Sequence, residues 1–305
     1  MNNKAPSLYR IYMPPLFYRL DELDALPQRS HMGVMGNPIA HSKSPAMQQA
    51  ALDAAGLPHR YVRLECSVEQ GAFAAFLKEL KKRGFFALNV TVPFKREAFL
   101  QAIKTDALSA LCEASNTLNL KEDGWHAYNT DGPGFDQAIA AKWGLCLQDL
   151  KVVILGSCGG AGSALAAQSA LAHCKSLCLV NRPRPELGAQ LTRLNQVAPD
   201  SKMCAYHFDS PELPQLIAEA DLIVNATVLG LHEQDPMPLS LDYLQPHHYL
   251  YDIVPHETAF ARAAAARGVS CSTGEEMLLW QGARSFEHWF GISPDIQAMR
   301  EGLFG

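Results

Sequence analysis

From residue 31 onward, short apolar runs alternate with longer stretches of helical spacing. His31 to Met35 predicts a strand, followed by the loop Gly36-Asn37-Pro38-Ile39-Ala40-His41-Ser42-Lys43-Ser44-Pro45. Ser44 and Pro45 are the residues expected at an N-cap and first helical position, so a helix is predicted to Ala55, closed by Gly56. Tyr61 to Glu65 predicts a second strand. Phe73, Phe76, Leu77 and Leu80 then recur on one helical face within residues 68 to 83, ending in basic residues. A third strand, Phe85 to Val90, runs into Thr91-Val92-Pro93-Phe94-Lys95. Proline is restricted to an edge, a turn or a helix's first turn, so Lys95 falls in the opening turn of the next helix.

This rhythm of strand, helix and strand predicts a largely parallel sheet whose chemistry gathers at the strands' C-terminal ends. The serine loop and Lys95 both lie at such ends. After a helical stretch to about Cys112, two short strands, Ser115 to Leu120 and Trp125 to Tyr128, flank an Asp-Gly turn and predict a hairpin. The hairpin delivers Asn129-Thr130-Asp131-Gly132, just before a helix carrying Phe135 and Ile139.

A second βαβ pattern begins at Lys151. Val152 to Leu155 is a buried strand, Gly156-Ser157-Cys158-Gly159-Gly160-Ala161-Gly162 a glycine loop, and an alanine-rich helix runs to about His173 before strand Leu177 to Val180. In that context a glycine loop means dinucleotide binding, because glycines let a pyrophosphate approach a helix N-terminus. Two registers fit G-x-G-x-x-G: Cys158 replaces the second glycine, or one extra residue makes the glycines 156, 159 and 162. Where an NAD enzyme offers a carboxylate to the ribose, this chain has Asn181-Arg182-Pro183-Arg184, and two guanidiniums favour the 2′-phosphate of NADP, with NAD also open. Further strands are predicted at Tyr206 to Phe208, Leu222 to Asn225 and Tyr249 to Val254, with helices before Ala220 and from Thr258 to Arg267. Amphipathic helices after Gly274 are expected to return to the first half.

Composition narrows the functional classes. With 305 residues, two domains are expected. A net charge of -5 without a Lys/Arg block argues against nucleic acid or a membrane surface as partner. The eight cysteines show no Cys-x-x-Cys pair and the eleven histidines no ligand spacing, so neither metal nor disulfides are indicated and a cytoplasmic setting is expected. The first thirty residues lack a signal peptide's apolar core, and no run reaches transmembrane length. A helper strand, a partner contact and a mispredicted start are all open for this extension.

Each candidate residue also has a plain structural reading: Lys95 a solvated lysine, Ser44 and Asp131 helix caps, Cys158 a small loop filler. Taken in order, however, the Asn37-Pro38 and Ser42-Lys43-Ser44-Pro45 loop, Asn89-Val90-Thr91-Val92-Pro93-Phe94-Lys95, Asn116-Thr117, Asn129-Thr130-Asp131-Gly132, the glycine loop, Asn181-Arg182, Asn225-Ala226-Thr227 and Met277-Leu278 with Gln281-Gly282 resemble the shikimate dehydrogenase family. The resemblance runs from about residue 31 to the end.

It implies two α/β domains, a mostly parallel substrate domain at 31–130 completed by helices 274–305, and a Rossmann NADP domain at 131–273. It further implies reversible, NADP-linked reduction of 3-dehydroshikimate to shikimate, a step toward chorismate and the aromatic amino acids, by a monomer or homodimer. By that match Lys95 and Asp131 are the catalytic pair, Ser42 and Ser44 hold the carboxylate, and Thr91, Asn116 and Gln281 bind ring hydroxyls. Gly156, Ser157, Cys158, Gly159, Gly160, Ala161, Asn181, Arg182, Arg184 and Gly274 contact the cofactor. Three departures stand out: the family's usual tyrosine is missing from the segment aligning with 252–258, the glycine loop is altered, and Pro183 replaces a threonine. Quinate or an aminated analogue is therefore an alternative substrate, and a ligand-binding regulator on the same fold an alternative class.

Overall fold

A computed structural model describes residues 16–305. The first half builds a six-stranded sheet in the order β2-β1-β3-β5-β6-β4. Its strands are β1 (Ser30–Gly36), β2 (Arg60–Glu65), β3 (Ala87–Val90), β4 (Lys104–Thr105), β5 (Thr117–Lys121) and β6 (Gly124–Tyr128). β1 pairs in parallel with β2 and β3, while β5 and β6 form the antiparallel hairpin expected around the Asp-Gly turn. Helices α1 (Ser44–Ala54), α2 (Ala72–Lys82), α3 (Lys95–Gln101) and α4 (Ala107–Cys112) connect them, and α5 (Asp131–Trp143) leads to the second half.

The second sheet is wholly parallel, in the order β12-β11-β10-β7-β8-β9. It comprises β7 (Lys151–Leu155), β8 (Ser176–Asn181), β9 (Lys202–His207), β10 (Leu222–Asn225), β11 (Tyr249–Asp252) and β12 (Ser270–Thr273). Helices α6 (Gly160–Leu171), α7 (Glu186–Val197), α8 (Leu213–Ala218) and α9 (Ala259–Ala265) are interspersed. The order reverses between β7 and β10, the switch point at which doubly wound sheets bind ligands. Each sheet buries an apolar layer on both faces, the pattern expected when helices cover both sides.

The last helices, α10 (Glu275–Phe290) and α11 (Ile296–Phe304), return to the first sheet, placing Leu279, Phe286, Met299 and Leu303 against Met32 and Val34. Two glycines let α10 nest between its neighbours. A Cβ on Gly134 of α5 would stand 2.7 Å from the Gln281 backbone nitrogen, and one on Gly282 would collide with Met47 of α1. That close approach carries Gln281 to the crevice between the sheets.

Several expected boundaries shift. The helix expected from Val68 starts at Ala72, after Gly71 at φ 83. The strand expected at 206–208 is β9, four residues earlier in start, and the apolar pattern anticipates neither β12 nor α7. Of the N-terminal extension, the described part adds to the edge of β2: the Tyr18 N–H donates to Arg63 O (3.0 Å), and Tyr18 O accepts from Glu65 N–H (2.9 Å). Residues 1–15 lie outside the described residues. Among those described, no helix is long and apolar enough to cross a membrane.

Burial also sets an acid limit on stability. His59 is held below the ordinary histidine value by desolvation and then by His31, and His248 by desolvation and then by His247. His248 Nδ1 accepts the Gln245 N–H at 2.9 Å, a bond that protonation would destroy. A histidine with a depressed folded pKa binds its proton more readily in the unfolded chain. Its stabilising contribution is complete above the unfolded value of about 6.5 and declines as pH falls from there toward the folded value. Thermal melts between pH 7.5 and 5.5 are expected to show a gentler acid decline in His248→Gln than in the parent protein. An identical decline in both would contradict this. The comparison isolates the histidine from Asp136 and Asp252, whose carboxyl pKa values burial raises and whose linkage has the opposite sign.

Candidate active site

Lys95 opens α3 directly after the turn that closes β3, where the Phe94 N–H donates to Thr91 O at 3.0 Å. Asp131 is the first residue of α5, and its backbone N–H donates to Asn129 Oδ1 at 3.0 Å. Although 36 positions apart, the two side chains meet: Lys95 Nζ lies 2.6 Å from Asp131 Oδ2. A charge-assisted contact this short, with side chains 17% and 8% exposed, is a partly desolvated ion pair rather than a surface one. The α5 dipole favours the carboxylate at its N-terminus, while the α3 dipole opposes the ammonium. The carboxylate offsets that penalty.

Asn116 orients the carboxylate. Its Nδ2 donates to Asp131 Oδ1 (2.8 Å), Thr130 Oγ1 (3.0 Å) and Gln281 Oε1 (3.3 Å). Its Oδ1 accepts from Thr130 N–H at 2.8 Å. Asn116 thus reaches a ligand only by giving up one of these bonds. Behind it stands a network that the sequence reading missed: Ser285 Oγ lies 2.8 Å from Thr117 Oγ1 and 3.1 Å from Thr130 Oγ1, and accepts from Asn89 Nδ2 at 2.9 Å. Ser285 follows Gln281 by one helical turn, and that spacing was the available signal.

Ser44 departs from its expected role. It lies inside α1 with Lys43 at the N-cap, and the Ser44 N–H donates to Ser42 Oγ at 3.3 Å, so Ser42 supplies the bond at the helix start. The Ser42 carbonyl accepts two bonds from the Arg63 guanidinium (3.0 and 2.7 Å), which fixes the loop. β1 and β3 end at the same side, Met35 opposite Val90, so the serine loop and Thr91 leave the sheet together. A Cβ on Gly36 would collide with Thr91 Cγ2. Asp131, the other suspected cap, caps nothing: Thr130 holds the N-cap position of α5 without a side-chain bond.

The glycine loop follows β7, and its geometry separates the two registers. Gly156 has φ +81, and a Cβ on Gly162 would collide with Gly156 O, so these two serve the tight turn and the close helix approach. A Cβ on Gly159, the N-cap of α6, would meet only Gly156 O within 3.4 Å and Ala226 O at 3.9 Å. That is the middle glycine of the longer spacing, with Cys158 the extra residue. Ser157 is buried, its carbonyl accepting from Gln190 Nε2 at 2.9 Å. Gly160 faces the first sheet: a Cβ there would stand 3.4 Å from Lys95 Cδ, so the lysine lies against the opening of α6.

Asn181 ends β8 buried, its Oδ1 accepting the Arg182 N–H at 2.9 Å, while Arg182 and Arg184 are exposed. β8 adjoins the loop, because the Gly156 N–H donates to Val180 O at 2.7 Å. Gly274 answers to packing, since a Cβ would collide with Ile253 O. No tyrosine occupies 252–258, a tight segment closed by Thr258 Oγ1 donating to Asp252 Oδ2 at 2.8 Å. Among the described residues no cluster of His, Cys, Asp or Glu could hold a metal.

Comparison with known proteins points to one family. Family models for the shikimate dehydrogenase substrate binding domain and the shikimate 5'-dehydrogenase C-terminal domain match residues 34–118 and 274–303. The chain is 36% identical over 273 residues to shikimate dehydrogenase (NADP(+)) of Halobacterium salinarum, covering 89% of this chain and 97% of that protein. The chain belongs to the shikimate dehydrogenase family. Among solved structures, shikimate 5-dehydrogenase of Listeria monocytogenes in complex with shikimate and NAD aligns with a TM-score of 0.81 at 27% identity, covering 92% of this chain and 98% of that one. The Thermus thermophilus enzyme in complex with NADP(H) and shikimate aligns with a TM-score of 0.76 at 32% identity, covering 90% and 98%.

Proposed function

We propose that this chain catalyses the NADP-dependent, reversible reduction of 3-dehydroshikimate to shikimate. The observation that carries the reading is the Lys95–Asp131 pair at 2.6 Å, lying against the start of the glycine-loop helix. In this reading residues 31–130, completed by 274–305, hold the substrate, and 131–273 hold the cofactor. When bound, the nicotinamide supplies or accepts the hydride. Hydride arrival at a carbonyl carbon leaves negative charge on oxygen. The Lys95 ammonium gives that oxygen its proton in reduction, and the Lys95 amine removes it in oxidation. Asp131 holds the amine in place and accepts a substrate hydroxyl.

Among the described residues the Ser44 and Thr91 hydroxyls have no hydrogen-bond partner, which supports their use on substrate. In this assignment Ser42 and Ser44 take the carboxylate, and Thr91, Asn116 and Gln281 the ring hydroxyls. Gly156 makes the tight turn, and the absence of a side chain at Gly159 and Gly160 suits the approach of a pyrophosphate to the α6 N-terminus. The missing tyrosine at 252–258 favours a second reading, in which quinate or an aminated analogue is the better substrate. The partly desolvated amine and carboxylate in contact support the catalytic reading over a non-catalytic regulator. Initial rates with shikimate and with quinate, each against NADP⁺ and NAD⁺, decide the matter. Shikimate with NADP⁺ is expected to give the highest kcat/KM, and failure of both acids with both cofactors would remove the reading.

The exposed arginines give a separate expectation. Removing a guanidinium from a phosphate contact costs about 1.5–3 kcal/mol, so Arg182→Ala should raise KM for NADP⁺ by roughly tenfold or more and leave that for NAD⁺ nearly unchanged. Equal effects on both cofactors would contradict the 2′-phosphate assignment.

A further inference from the structure

A cavity of about 610 Å³ lies at the far end of the second sheet, where β7, β8 and β9 begin. The glycine loop leaves the other end of β7, five residues and about 16 Å away, so the two sites are separate. The register makes the cavity floor from two rows on one face of the sheet. Lys151, Ser176 and Lys202 stand opposite one another, and two residues further on come Val153, Cys178 and Cys204. Leu216, Glu219 and Ala220 form the opposite wall at the end of the six-residue α8; Val153 and Cys178 pack beneath it, and Cys204 is the more accessible floor residue.

Charge tells what the cavity suits. Lys151 and Lys202 head β7 and β9, with β8 between them, and Lys175 precedes β8. All three line the cavity, and none forms an ion pair among the described residues. Neighbouring strands lie about 4.8 Å apart, so the β7 and β9 backbones are about 10 Å apart, a span that two lysine side chains reaching inward can close around one anion. The lining carboxylate, Glu219, is engaged by Gln215 Nε2 at 2.9 Å, and neighbouring Asp221 accepts the Lys151 backbone N–H at 2.8 Å. Beyond the lysine row the floor is apolar or thiol. Volume, cationic rim and apolar floor together fit a small-molecule pocket.

We propose that this cavity is a second ligand site, for a small organic anion with an apolar body, its acid group on Lys151, Lys175 and Lys202 and its body over Val153, Cys178 and Cys204. The geometry supplies its own reporter. Cys204 is half-buried in the floor beside Cys178, open enough to be alkylated where Cys178 is buried. An occupant that covers the floor must shield that sulfur.

The probe is 8-anilinonaphthalene-1-sulfonate, added to the full chain with the dinucleotide site saturated by NADP⁺. Its binding should saturate, and iodoacetamide alkylation of Cys204, followed by peptide mass spectrometry, should slow in step with occupancy while the exposed Cys146 reacts at an unchanged rate. Lys151→Ala/Lys202→Ala should weaken the probe by about tenfold, as expected for the loss of solvent-accessible ion pairs, and Leu216→Trp should exclude it without a change of charge. Unchanged turnover of shikimate shows that the variants fold. Full Cys204 reactivity under saturating probe in the parent protein would overturn the proposal, a result that depends on no variant. Equal probe affinity in the double lysine variant would overturn it too.

Discussion

Lys95→Ala is expected to lower kcat for shikimate oxidation by roughly 10²–10⁴, the range for loss of a positioned acid or base, with a much smaller change in KM. The amine is needed while the proton moves, so its removal acts on the transition state more than on binding. The scaffold should survive the change. Lys95 is held through its backbone, whose carbonyl accepts the Ser115 N–H at 2.8 Å, and the side chain is partly solvated at 17% exposed. The variant does leave Asp131 without its cation, but two donors remain near that carboxylate: Asn116 Nδ2 at Oδ1 and water entering the space vacated by the lysine. Near-parental turnover in a folded Lys95→Ala protein would remove the amine from the chemistry.

Asp131→Asn is expected to cost a similar factor by a different route. The amide keeps the shape of the carboxylate and can still face Asn116, but it has no charge for Lys95 and one fewer acceptor. A donor of its own must point either at the Asn116 amide or at the lysine. Lys95 then loses its anchor, so kcat is expected to fall by about 10² or more. The buried network of Asn116, Thr130 and Ser285 should hold α5 in place, because it does not need the charge. Turnover in steady state and single-turnover rates with bound NADPH both check this, and an unaltered chemical step would contradict it.

How much of this could be read from the sequence depended on how local the causes were. The chain of strands and helices was legible because apolar runs and helical spacing differ over a few residues, as in Phe73, Phe76, Leu77 and Leu80. Edge elements were harder. β12, Ser-Cys-Ser-Thr, has no apolar run, and β9 is only half-buried, so neither leaves a strong pattern. Ser44 fits a cap in isolation because Ser-Pro is common there, whereas here Ser44 is itself the first helical residue and its own N–H is taken by Ser42 Oγ. The glycine loop allowed two registers until the clash a Cβ would make at Gly162 distinguished them. The contact of Lys95 with Asp131 could be expected only through resemblance, since the path between them crosses a hairpin and the junction of the two sheets. Ser285 was hidden for the same reason: its partners come from β3, β5 and the start of α5.

The pair acts as one device if the amine needs its carboxylate and the carboxylate matters through the amine. A double-mutant cycle over Lys95→Ala, Asp131→Asn and the two together, read as kcat at saturating shikimate and NADP⁺, measures this directly. The double variant is expected to be about as slow as the slower single one. Losses that multiply, each variant contributing its full factor independently, would mean that the two groups work apart despite their 2.6 Å contact.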